Sequence, residues 1–386
     1  MHKLKILLQT ILTVLLIIGL TTTLYLYTAG FRLHKDGIDN RIDLTKTGMV
    51  GAKSVPDSAN VYLDGKLVAA TDDNVPGVAP GVHKLQISKK GYITWEKEIE
   101  VFEELVTDIT AVLISQSPRL EPLTNTGARE PQISPSLNQI AYFSSDDTKP
   151  GVWIMPIGGA ALNIFRSTPT VALEDTRFTK YSEGLGIEWS PKEDSLLVEG
   201  KGGVHYLVDL EENTAETTAS PQLVRQTWED ELLKKRTDLL EELEITQDIK
   251  KIATSSDTVW APDGKKFLYT TQVGNSIEYR VYNLEDPLPI GEKVENLVFT
   301  RTTNEAQPQL SWYADSFHLV MVEGDVQNDQ RGQVSLIRID GTNKTEIYNN
   351  TLYSDRAFSA PGGDKIIIVT SFRSGNQTDL YTVGIR

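Results

Sequence analysis

Hydrophobic positions fall into four regimes along this chain, and each predicts a different kind of element. From Ile6 to Tyr27 the side chains are apolar or hydroxylated apart from Gln9 and none is charged, so a helix there covers about 30 Å, the thickness of a bilayer core. Between residues 49 and 114 apolar residues alternate, as in Val61 with Leu63 and Leu85 with Ile87. That is the period of half-buried strands. From residue 119 onward a longer pattern recurs, in which an apolar or aromatic residue opens a short turn and a β-rich run follows. A single stretch breaks it: Trp228, Leu232, Leu239 and Leu243 lie at helical spacing inside a polar segment, 222–252.

The long pattern occurs five times. Its turns are Ile133-Ser134-Pro135, Trp189-Ser190-Pro191, Trp260-Ala261-Pro262-Asp263-Gly264, Trp312-Tyr313-Ala314-Asp315 and Ser359-Ala360-Pro361-Gly362-Gly363. Seven residues after each opening residue stands an apolar one: Ile140, Leu196, Phe267, Leu319 and Ile366. A second strand-like run follows each. A repeat of this length with several strands per unit predicts an array of small sheets. Proline presets φ early in the turn and glycine accepts positive φ later in it. The tryptophans are expected to wedge between neighbouring sheets as core.

These units resemble the WD40-like Pro-Asp repeat of TolB-type β-propellers, whose signature is Trp-Ser-Pro-Asp-Gly before a strand. Trp260-Ala261-Pro262-Asp263-Gly264 matches it almost fully, and Trp189-Ser190-Pro191 keeps its first half. The resemblance implies an all-β propeller over 119–386 with one helical insertion, 222–252. Five units are legible, with room for a degenerate sixth between Asn283 and Glu305. The fifth unit supplies three strands, and residues 120–124 before the first unit resemble the missing outer one. The N-terminal strand is therefore expected to close the last blade. In the insertion, Asp230 with Lys234 and Glu231 with Lys235 are favourable i,i+4 pairs. They predict a helix lying on the side of the propeller, with a partner-binding or lid role as the rival reading.

The stretch 49–114 carries Pro56-Asp57-Ser58-Ala59, Val61, Asp64-Gly65, Pro80-Gly81 and Gly91-Tyr92. It resembles the PEGA domain, a small β-sandwich, although the glycine of the eponymous tetrapeptide is missing. Asp64-Gly65 between two alternating runs signals a hairpin. The resemblance implies an accessory module of cell-surface proteins. Residues 29–48 read as a polar spacer and residues 1–28 as a cytoplasmic tip with a transmembrane anchor.

An uncleaved anchor is expected over a signal peptide, because the apolar run exceeds a usual signal core and no small-x-small cleavage site precedes Gly30. Lysines and arginines flank both ends of the run, so local charge does not set orientation. Both resemblances imply a body outside the cytoplasm. The chain has 53 acidic against 38 basic residues, a net charge of −15, which argues against nucleic acid as a partner. It has no cysteine, so disulfides, thiolate metal sites and cysteine nucleophiles are excluded.

No Gly-x-Ser-x-Gly elbow, Walker loop or His-Glu-x-x-His motif is present. The histidines (His2, His34, His83, His205, His318) are scattered, and Asp72-Asp73, Asp146-Asp147 and Asp325 with Asp329 fall in apparent turns. No catalytic, cofactor-binding or metal-binding residue is therefore assigned. The sequence reads as a non-catalytic, membrane-anchored surface protein whose propeller binds protein or glycan, with the PEGA-like domain as spacer or accessory contact. The alternative is a propeller-type hydrolase of carbohydrate or a related extracellular polymer. The lining of the central channel discriminates them: carboxylates at catalytic separation favour the hydrolase, and apolar filling favours the binder.

Overall fold

The structure, a computed structural model, describes residues 2–28, 30–35, 42–158, 168–372 and 377–386. It comprises two compact units, one spanning 1–113 with 287–292 and the other 114–286 with 293–386. The first begins with α1 (His2–Thr28), of which Gln9–Thr28 is long and apolar enough to cross a membrane. Its threonines bond back to the helix: Thr13 Oγ1 donates to Gln9 O at 2.8 Å and Thr23 Oγ1 to Gly19 O at 2.8 Å.

The stretch expected to be a plain polar spacer contains an antiparallel pair, β1 (Phe31–Lys35) with β2 (Ile42–Lys46). The loop of that pair, 36–41, lies outside the described residues. Beyond it come β3 (Gly48–Val55), β4 (Asn60–Leu63), β5 (Lys66–Ala70), β6 (Asp73–Val78), β7 (Gly81–Ser88), β8 (Trp95–Val101) and β9 (Val106–Val112). They form two sheets, β6-β3-β9 and β5-β4-β7-β8. Alternation along the strands sends Val50, Ala52, Val61, Leu85, Ile87, Trp95, Ile99 and Ile109 into one core, which makes the unit a sandwich. Asp64 and Gly65 both have positive φ, 51° and 78°. They form the two-residue turn that joins β4 to β5.

The second unit holds five four-stranded antiparallel sheets in chain order. The first contains β11 (Arg129–Ile133), β12 (Gln139–Ser144), β13 (Gly151–Pro156) and β14 (Thr170–Glu174). The second contains β15 (Gly186–Trp189), β16 (Ser195–Glu199), β17 (His205–Asp209) and β18 (Thr214–Thr218). The third contains β19 (Val259–Trp260), β20 (Lys266–Val273), β21 (Ser276–Asn283) and β22 (Glu295–Thr302). The fourth contains β23 (Gln309–Trp312), β24 (His318–Glu323), β25 (Arg331–Arg338) and β26 (Thr345–Thr351). The fifth is made of β27 (Phe358–Ser359), β28 (Lys365–Thr370), β29 (Asp379–Gly384) and, at its outer edge, β10 (Arg119–Pro122). Leu120 pairs with Val383 and Pro122 with Tyr381, so the strand preceding the first repeat does complete the last sheet. The room allowed for a sixth unit between Asn283 and Glu305 is taken by β22, the fourth strand of the third sheet.

The seven-residue spacing in the sequence is a cross-strand pairing. Ile133 pairs with Ile140, Trp189 with Leu196, Trp260 with Phe267, Trp312 with Leu319 and Ser359 with Ile366. The second member of every pair is fully buried. Each turn between them is closed the same way, for example Gly264 N to Ala261 O at 3.0 Å and Leu137 N to Ser134 O at 2.9 Å.

Neighbouring sheets share cores in sequence. One cluster joins the first and second sheets, another the third and fourth, a third the fifth and first. The fourth and fifth meet through Ser311 Oγ, which donates to Ala357 O at 2.6 Å, and Ala314 N, which donates to Ser359 Oγ at 3.1 Å. Consecutive sheets around a common axis form the propeller.

Candidate functional site: the central channel

The insertion between the second and third sheets folds as α2 (Pro221–Glu241) and α3 (Gln247–Ala253). Pro221 occupies the first turn of α2, where its missing N–H costs nothing, and the run of Glu, Leu, Lys and Arg after it favours helix. Sequence spacing placed this helix on the side of the propeller. The structure places it in the ring. Leu240 of α2 and Ala253 of α3 are buried with Phe267, Tyr269 and Leu284 of the third sheet. Among the described residues no hydrogen bond or ion pair joins the second sheet directly to the third. The helices contact both, bonding to the second sheet through Arg225 with Glu188 and Glu231 with Lys192 and sharing a core with the third.

The tryptophans record the same arrangement. Trp189 Nε1 donates to Gln132 O at 2.9 Å and Trp312 Nε1 to Val259 O at 2.9 Å. Each thus ties the first strand of one sheet to the first strand of the sheet before it, and both rings are buried, as a wedge requires. Trp260 breaks the series, since its Nε1 donates at 2.9 Å to Ala253 O of α3. The helix terminus supplies the acceptor that a preceding strand supplies elsewhere. Trp260 is accordingly only half-buried.

A cavity of about 800 Å3 runs along the inner face of this ring. First strands of all five sheets line it, through residues such as Ile133, Glu188, Trp260, Leu310 and Phe358, and one face of α2 forms the remaining wall. That face presents Arg225, Trp228, Leu232, Lys235, Arg236 and Leu239, all within the helical repeat of three and four. Four of the six tryptophans, Trp189, Trp228, Trp260 and Trp312, border the cavity.

Its charged groups differ in how far they are engaged. Glu188 accepts from Arg225 Nε at 2.9 Å and from Nη2 at 2.6 Å. This pair fastens the first half of α2 to β15 and raises the Arg225 pKa. Glu231 pairs with Lys192 of the second sheet's turn at 2.7 Å in place of the Lys235 partner expected from i,i+4 spacing, which leaves Lys235 on the cavity wall. Arg356 donates to Gln132 Oε1. Arg236 lies over the Trp260 ring, 5.7 Å from its centroid, and burial pulls its pKa down. Two serine hydroxyls of the lining turn to the backbone: Ser311 Oγ donates to Ala357 O and Ser359 Oγ to Ala360 O at 2.9 Å.

The residues the sequence offered as weak chemical candidates lie elsewhere. His83 bonds to Asp64 at 2.7 Å in the sandwich, His318 to Asp315 at 2.7 Å in the fourth sheet's turn, and His205 to Gly203 O at 3.1 Å. Side chains of His2 and His34 lie outside the described residues. Asp146 accepts from Thr148 N and Lys149 N at 2.8 Å, and Asp325 from Asn328 N at 3.0 Å. These carboxylates cap their own turns, and bonds from the Thr148 hydroxyl and the Asn328 amide, respectively, with the backbone ones, hold both below the usual carboxylate range. Asp72 accepts from Ser54 N at 3.0 Å and Asp73 from Asn74 N at 2.8 Å. The channel residues of α2 were missed because spacing shows that a helix has an apolar stripe without showing what the stripe faces. A tryptophan and an arginine on that stripe were the available signal.

Residues 47–116 match the PEGA domain family. No curated protein matches the chain in sequence. Among solved structures it is similar to TolB from Acinetobacter baumannii, at 14% identity over 78% of this chain and 59% of that one, with a TM-score of 0.27. It is also similar to an oligogalacturonate lyase from Vibrio parahaemolyticus, at 10% identity over 92% and 96% of the two chains, with a TM-score of 0.31. The chain thus spans under two thirds of the A. baumannii protein's length.

Proposed function

We propose that this chain is a non-catalytic, membrane-anchored protein of the cell envelope or surface that binds a protein or glycan ligand in the central channel of its propeller. The observation that carries this reading is the channel's lining. It is a cavity of about 800 Å3 walled by tryptophans and aliphatic side chains, into which charged and polar groups from several elements converge, and an enclosed apolar surface with convergent polar groups suits a ligand site. Hydrolytic chemistry asks for a free pair of carboxylates or a hydroxyl beside a base. Here Glu188 is committed to Arg225, the Ser311 and Ser359 hydroxyls are committed to carbonyls, and among the described residues no histidine borders the cavity, so Glu229 and Asp355 are the lining carboxylates a hydrolase would have to use. The apolar helix α1 and the PEGA match support tethering with the body outside the cytoplasm, the small domain acting as spacer or second contact.

A photoreactive residue placed at Leu239, on the channel wall, tests the binding role in intact cells. A defined adduct is expected that weakens on Trp228→Ala and is missing when the probe sits at Thr217 on the outer strand β18. Equal labelling from both positions would refute a channel site. Turnover of a polysaccharide by the purified chain, abolished by Glu229→Gln, would replace the binder with the hydrolase. External protease should degrade the body while a cytoplasmic marker survives; protection in cells with a permeabilised outer layer would reverse the topology.

A further inference from the structure

Among the described residues, Arg236 is the one guanidinium of the channel wall without a polar acceptor. Arg225 is saturated by Glu188 and Arg356 reaches Gln132. Arg236 is half-buried, and among the described residues no carboxylate forms an ion pair or hydrogen bond with it; its recorded neighbour is the Trp260 ring. A cation taken partly out of water without an anion is unfavourable unless something compensates it. Scarcity of acids does not explain the omission, because this chain carries 53 of them against 38 basic residues. Lys235, the adjacent residue, adds a second positive charge to the same stretch of wall.

What surrounds Arg236 limits the anion. Leu232 and Trp228 stand one and two turns earlier on the same face of α2, and Trp260 lies beneath the guanidinium. These are flat or branched apolar surfaces suited to a ring. The free guanidinium offers a planar fork that matches the two oxygens of a carboxylate. A phosphate dianion fits less well, since Glu229 and Asp355 belong to the same lining. We infer that the channel takes a cyclic carboxylate, its acid group in the Arg236 fork and its ring against Trp228 and Trp260. Acidic sugars and aromatic acids share this chemistry. The inference rests on the channel being a binding site and specifies what it selects.

Calorimetry on the full chain in detergent tests it with 2-naphthoate, its neutral amide 2-naphthamide, 2-naphthyl phosphate, a glucuronate-containing disaccharide and the matching neutral disaccharide. The acid of each pair should bind about tenfold or more tighter than its neutral partner, the size of one charge-assisted hydrogen-bonded contact. Arg236→Gln should reduce the acids to the level of the neutral compounds and leave the latter unchanged, and Arg236→Lys should fall between. Preference for the disaccharide assigns the ligand to acidic glycans and preference for naphthoate to aromatic acids; both support the site. Equal binding of acid and neutral compound to the unaltered chain overturns the inference whatever the variants do, and so does tighter binding of the phosphate or of an acyclic peptide carboxylate. The Leu239 crosslink separates the two levels. Capture without acid preference leaves the binding reading standing and removes this one, whereas no capture removes the reading itself.

Discussion

At the residue scale the repeat is a conformation before it is a sequence. The fifth position of every turn has positive φ: Leu137 at 61°, Glu193 at 62°, Gly264 at 67°, Ser316 at 59° and Gly363 at 61°. Only two of these are glycines. The other three adopt a left-handed backbone that disfavours a Cβ by about 1 kcal/mol, and the strand pairing on both sides holds them there. Glycine substitutions separate strain from packing. A Cβ at Gly264 meets nothing within 4 Å, whereas at Gly363 it would lie 2.7 Å from Tyr313 Oη and 3.0 Å from an Arg386 nitrogen. Gly264→Ala is expected to cost about 1 kcal/mol and Gly363→Ala about 2–3 kcal/mol, read by denaturant unfolding; equal losses would contradict the packing difference.

The turn of the fourth sheet adds a titration. Burial opposes the charged form of Asp315, but His318 and the Phe317 and His318 N–H groups outweigh it and hold the carboxyl below its ordinary value. A depressed pKa contributes stability that is complete above the unfolded value of about 4 and is lost as pH falls through the folded one. The stability gap between the unaltered chain and Asp315→Asn should therefore be constant near neutrality and narrow below about pH 4. A gap that does not change with acid would show that the carboxylate contributes no such linkage.

At the element scale, closure and insertion have opposite histories. Closure by β10 was readable from an unpaired third strand and an orphan strand-like run, because a sheet edge needs a partner. Deleting residues 118–124 should expose the flank of β29 and produce aggregation or a large fall in Tm; an unchanged Tm would refute closure at this seam. The insertion was legible as a helix and illegible as part of the ring. Its apolar stripe divides between two surfaces, Trp228, Leu232 and Leu239 toward the channel and Leu240 into the third sheet's core. Replacing residues 221–253 with a Gly/Ser loop should accordingly remove the contact between the second and third sheets and abolish cooperative unfolding. Retention of a single sharp transition by calorimetry would return the helix to the periphery.

At the scale of the whole molecule, the sequence alone determined what depends on local period and turn chemistry. That covers the apolar helix α1, the alternating sandwich strands, the Asp64-Gly65 hairpin and the five turn-and-strand units. Pairs such as Trp260 with Phe267 were visible because seven residues of separation fix a tight two-strand turn, and such a contact is encoded within its own segment. Only the tertiary structure decided what depends on residues far apart in the chain. The hairpin of β1 and β2 inside the apparent spacer, the place of α2 in the ring and the meeting of Arg236 with Trp260 all belong here. The channel is the extreme case, since five strands and a helix each give it a few side chains. The repeat motif those strands carry marks a turn and not a site, because the site's chemistry exists only in their convergence.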